Sequence, residues 1–138
     1  MKRINIQSGS PFEPLRGYSR AVVIGDKLYV SGTNALQKSG DVVGVHSAYE
    51  QAKYSLDKIK SVLASAHFEL KDVVRTRMYV TNLAKWDEYA QAHREVFGEI
   101  RPASAIVQVT RLVDPRLIVE IEVEAVRGAE SFEIVSIE

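Results

Sequence analysis

The sequence predicts an α+β fold in which two helices pack on one face of a mixed β-sheet. Three observations predict it: two stretches repeat apolar residues at helical spacing, several shorter runs read as strands, and the order is ββ-α-β-α-ββ. The chain has 138 residues with no low-complexity tract, repeat or linker, so residues 1–138 are read as one domain. A chain of that length buries enough surface to need neither disulfides nor a structural metal.

Each element has its own reason. Between Tyr18 and Ser31 two β-rich runs flank Gly25-Asp26, a pair suited to a tight hairpin turn. Ser39-Gly40-Asp41 marks a loop. Ser47 and Glu50 then form a capping box that starts a helix near Ala48. In that helix Ala52, Leu56, Ile59, Leu63 and Ala66 make one apolar stripe, and Lys53, Asp57, Lys58 and Lys60 largely face away from it. From Asp72 to Val80 the pattern alternates, with Val74, Thr76, Met78 and Val80 on one face and Arg75, Arg77 and Tyr79 on the other. A second helix runs from about Leu83 to Phe97, and Gly98 is expected to cap it in the left-handed conformation. Two strands follow, Ala103 to Leu112 and Leu117 to Val126, joined through Asp114-Pro115, with a further strand possible at each terminus. Two helices cover one sheet face only. Tyr29, Tyr79, Ile106 and Ile118 are expected on the open face, where association with further copies of the chain would cover them.

Composition excludes several chemistries. There is no cysteine, hence no thiolate metal site or Cys nucleophile. His46, His67 and His93 lack metal-ligand spacing and are read as structural; no metal or cofactor is expected. No G-x-S-x-G, G-x-G-x-x-G or Walker pattern occurs. The 18 basic and 18 acidic side chains balance, which gives no long-range field for nucleic acid. No apolar run is long enough to span a bilayer, and the N-terminus shows no secretory h-region, so a cytoplasmic protein is expected.

The run Val119-Glu120-Ile121-Glu122-Val123-Glu124-Ala125 is the most informative segment, because it places three glutamates on one strand face. Glu122 and Glu124 are expected to pair across strands with Arg75, Arg77 or Arg111. A carboxylate at the less exposed end of such a row can instead hold a water and act as general base.

From Tyr18 to Arg127 the chain resembles the RidA/YjgF family, also known as endoribonuclease L-PSP or translation initiation inhibitor. The resemblance rests on Arg101-Pro102-Ala103-Ser104 through Val119-Glu120-Ile121-Glu122, with support from Tyr18-Ser19-Arg20-Ala21-Val22, Tyr29-Val30-Ser31-Gly32 and Val73-Val74-Arg75-Thr76 leading to Phe97-Gly98. It implies a chorismate-mutase-like fold with a six-stranded sheet, assembled as a homotrimer with inward-facing sheets. It also implies small-molecule clefts between subunits, where deaminase members hydrolyse enamines and imines without a cofactor. By position, Glu120 would direct the attacking water, Tyr18 would line the cleft, Gly32 would bring its backbone close, and Ile106 would offer main-chain polar groups.

The sequence departs from the deaminase pattern at Ser104, where those members carry the arginine that grips a substrate carboxylate. Ala90 likewise replaces an asparagine. The resemblance is therefore to a branch lacking that arginine, with Arg101, Arg20 or Arg16 as candidate replacements. Three functions follow as expectations: deamination of an imine or enamine other than 2-aminoacrylate, a non-catalytic metabolite-binding or chaperone-like trimer, and the ribonuclease activity of the family's older name. Hydrolytic deamination leads. For the ribonuclease, balanced charge and the absence of a histidine acid/base pair offer nothing.

Overall fold

The structure is a computed structural model and describes residues 1–137. Six strands form one sheet in the order β1-β2-β3-β6-β4-β5. They are β1 (Arg3–Ile6), β2 (Ala21–Ile24), β3 (Lys27–Thr33), β4 (Val73–Val80), β5 (Ala103–Gln108) and β6 (Val119–Val126). All pairings are antiparallel except β4 with β5, which makes the sheet mixed. A short helix α1 spans Phe12–Arg16, and the two long helices are α2 (Ala48–Ser65) and α3 (Trp86–Phe97).

The helices form where side chains close their open ends and supply an apolar face. Ser47 accepts from the Glu50 N–H at the start of α2, which satisfies one of the first-turn donors. From α2, Leu56, Ile59 and Leu63 are buried; from α3, Tyr89 and Phe97 are buried against the same sheet face. That face supplies Leu28, Val30, Met78, Val80, Ile121 and Val123. The opposite face carries Tyr29, Arg75, Arg77, Tyr79 and the three glutamates of β6, in register across the strands. Among the described residues, no helix is long and apolar enough to cross a membrane.

Several expectations are corrected. Val74 sits in a bulge between Val73 and Arg75, so it is the preceding Val73 that enters the core while Val74 is 46% exposed. An extra residue shifts the two-residue alternation by one, which the simple pattern cannot reveal. Ile106 lies in register with buried Met78, and both Ile106 and Ile118 pack against the helix-side core instead of the open face. Gly98 is right-handed, with φ −57°, because the chain continues in a helical path for another turn; Arg101 takes the left-handed conformation, with φ 54°. Pro102 disfavours the right-handed conformation in the residue before it, so the reversal falls there. Gly98 is needed for closeness, since a Cβ would meet the Arg94 carbonyl oxygen at 2.7 Å. The strand at the N-terminus forms as β1, whereas residues 129–137 form no strand. Residue 138, the end of that expected terminal strand, lies outside the described residues.

Candidate functional site

The glutamate row resolves into three different environments. Glu124 pairs with Arg77, Nη1 to Oε2 at 3.0 Å, and with Arg75, Nε to Oε2 at 3.4 Å. Glu122 takes a different partner from the arginines expected, accepting the Tyr79 hydroxyl proton. That carboxylate, together with burial, raises the Tyr79 pKa above its ordinary value. Arg111 pairs with neither. Glu120, at the N-terminal end of the row, forms no salt bridge among the described residues and accepts from Asn34 Nδ2 at 2.9 Å.

Asn34 is itself oriented. Its Oδ1 accepts from the Leu36 N–H at 3.0 Å, which leaves its amide group facing the carboxylate. On the other side of Glu120, β3 carries a bulge between Val30 and Thr33, so that Ser31 and Gly32 oppose the single residue Glu122. The bulge brings Gly32 backbone against the glutamate. A Cβ on Gly32 would lie 2.8 Å from Glu120 Cδ, closer than side chains pack. Only glycine leaves the carboxylate in place.

These residues border a cleft of about 1770 Å³ lined by Tyr18, Arg20, Gly32, Asn34, Lys58 and Glu120 among others. Tyr18 enters through the turn that ends α1, where Gly17 is left-handed and the Tyr18 N–H donates to the Glu13 carbonyl. The Arg16 guanidinium sits 4.1 Å from the Tyr18 ring centre. Arg20 is 9% exposed; its Nη2 donates to the Gly32 carbonyl at 2.7 Å, and its buried Nε has no partner. Lys58 reaches in from α2 and donates to the Asn34 and Leu36 carbonyls at 2.7 and 3.2 Å. Burial, aided by the Arg20 charge, pushes its ammonium down to about 8. This corrects the expectation that Lys58 faces away, because the strand-to-loop segment after β3 folds back over that side of α2.

Five of the residues singled out by sequence, Glu120, Tyr18, Gly32 and the candidate arginines Arg20 and Arg16, therefore meet in one cleft. The other three do not. Ser104 lies on the helix side, in register with buried Thr76, whose hydroxyl donates to Ser104 Oγ at 2.7 Å and contacts His93 Nε2 at 2.8 Å. Burial lowers the His93 pKa. Ile106 shares that side of the sheet, on the edge strand β5. Arg101 is exposed beyond α3, and its N–H donates to the Phe97 carbonyl at 2.7 Å. Asn34 and Lys58 were missed by sequence reasoning; their only signal is long-range contact, which no local spacing reports.

Residues 9–127 match the family described as Endoribonuclease L-PSP. The chain belongs to this family, the RidA/YjgF family. It is 37% identical over 120 residues to the 3-aminoacrylate deaminase RutC of Acinetobacter baylyi, covering 87% of this chain and 94% of the relative. Among solved structures, a member of the YjgF/YER057c/UK114 family from Mycobacterium tuberculosis is 41% identical with a TM-score of 0.84, covering 91% of this chain and all of that one. The Escherichia coli YjgF gene product is 26% identical with a TM-score of 0.74, covering 90% and 94%. Within the RidA/YjgF fold, the cleft combines the oriented Glu120 carboxylate with cations that form no salt bridge among the described residues: the largely buried Arg20 and Lys58, and also Arg16, Lys38 and Arg111. Such a set can hold a water and an anionic group side by side.

Proposed function

We propose that this chain is a hydrolase that deaminates small imines or enamines, with Glu120 as the general base. The carrying observation is the contrast within one strand: Glu124 is occupied by Arg75 and Arg77, and Glu122, which borders the same cleft, is occupied by Tyr79, whereas Glu120 is oriented by one amide and has no charged or hydroxyl partner among the described residues. In the reaction, Glu120 takes a proton from water as the water oxygen adds to the C=N carbon. Protonated Glu120 gives that proton to the nitrogen, which forms the carbinolamine; the carboxylate then takes the carbinolamine's hydroxyl proton and passes it to the amine, so that the C–N bond breaks and ammonia leaves from the new carbonyl. An enamine first becomes the imine by gaining a proton at carbon and losing one from nitrogen to water. Similarity to a 3-aminoacrylate deaminase supports this reaction class. The chain's own residues and water supply every proton transfer, so no cofactor enters the scheme.

The reading includes assembly as a homotrimer in the cytoplasm, in which a neighbouring copy closes each cleft around a small metabolite. Support comes from β5, which stands at the sheet edge with Ala103, Ser104, Ala105, Val107 and Gln108 exposed. The test of the chemistry is ammonia release from a panel of imines generated from several amino acids. Wild type should exceed the uncatalysed rate with at least one of them, and Glu120→Gln should lose about 100-fold or more of that rate. Turnover unchanged in E120Q would remove Glu120 from the mechanism.

A further inference from the structure

We propose that Arg20 and Lys58 form a carboxylate-binding subsite in the cleft beside Glu120, so that the ligand is a small organic acid gripped from the β3 side. The inference deepens the deaminating reading, because it names the class of substrate that would sit there. Four observations carry it. Arg20 is nine-tenths buried, yet its guanidinium makes one hydrogen bond among the described residues and leaves Nε without a partner. A buried charge with unused donors is costly unless a counter-charge arrives. Lys58 joins it: Arg20 donates to the Gly32 carbonyl and Lys58 to the Asn34 carbonyl, two residues along the same backbone. Neither cation forms a salt bridge among the described residues.

The fourth observation is position. Gly32 and Asn34 are also the residues that flank the Glu120 carboxylate, so the two cations and the proposed base are organised by one three-residue segment. An acid whose carboxylate bridges Arg20 and Lys58 would thereby present its next carbon toward Glu120. Ser104, in contrast, is turned to the helix side and engaged with Thr76. The cations of the cleft therefore come from Arg20, just before β2, and from α2, and not from the position of Ser104. A planar guanidinium fork beside a point-charge ammonium suits a carboxylate.

The test uses pyruvate, the smallest 2-oxo acid, as the binding probe, with pyruvamide as its neutral counterpart, followed by calorimetry on the purified full chain. Pyruvate should bind saturably and pyruvamide at least about tenfold more weakly. Arg20→Gln and Lys58→Gln should each weaken pyruvate about tenfold or more, with Lys58→Arg keeping more of the affinity than Lys58→Gln, whereas the surface control Lys60→Gln stays near wild type. Circular dichroism identifies a variant that fails to fold; if R20Q does, the K58Q and K58R pair decides. The proposal is overturned if wild type does not bind pyruvate, if K58Q binds it normally, if pyruvamide binds equally well, or if inorganic phosphate displaces pyruvate at lower concentration. Binding is read without turnover. Pyruvate bound normally by a protein that hydrolyses no imine would sink the deaminase and keep the subsite, and carboxylate imines turned over equally by wild type and K58Q would do the reverse.

Discussion

At the residue scale, Gly32 and Lys58 make the sharpest commitments. Adding one methyl group at Gly32 places it against the Glu120 carboxyl carbon, and the backbone there is tied to Arg20. Gly32→Ala should therefore displace Glu120 and lower turnover about 100-fold with little loss of stability, because the carboxylate can swing into the cleft; paired kinetics and urea titration check both. Lys58 gives a pH prediction. The groups facing it are Arg20 and the Tyr54 ring, with Glu120 reached through Asn34. Its pKa is lowered to about 8, so it is charged below that pH and loses its charge as pH rises through it. Pyruvate affinity should accordingly fall above pH 8 in wild type. In Lys58→Arg it should stay level, since arginine keeps its charge.

At the scale of elements, α2 is where local signals and packing agree. Its capping serine and apolar stripe are both readable in the sequence, and the structure uses both. Ser47→Ala should cost about 1 kcal/mol and Ile59→Ala, at 0% exposure, about 2–5 kcal/mol, measured by denaturant unfolding. The same helix shows where legibility stops. A periodic pattern identifies the buried stripe, but residues on its flank, such as Lys58, are assigned only when a distant loop is known to return over them. β4 illustrates a second limit: one inserted residue at Val74 reverses the alternation at the strand's start and leaves no compositional trace. That the three glutamates would need different partners was legible in the row of like charges, whereas singling out Glu120 took the family resemblance. The face that Ser104 takes was not legible, because identical strand patterns suit either face until a neighbour such as Thr76 fixes the register.

At the scale of the whole molecule, the order of elements and the mixed sheet could be anticipated because hairpins and crossovers restrict topology. Assembly is the quantity to measure. Analytical ultracentrifugation should give a mass of three 15.4 kDa chains, and a lone chain at micromolar concentration would contradict the proposed intersubunit cleft.

The edge strand β5 carries a further consequence. Its residues Ala103, Ser104, Ala105, Ile106, Val107 and Gln108 include no charged side chain, and its outer backbone amides have no strand partner among the described residues. An uncharged ribbon of this kind is a template for whatever extended peptide it meets once its cover is removed. In the proposed trimer a neighbouring copy covers this ribbon, so dilution should make the protein less colloidally stable, the reverse of ordinary precipitation, and Val107→Lys should suppress that clumping while also hindering reassembly.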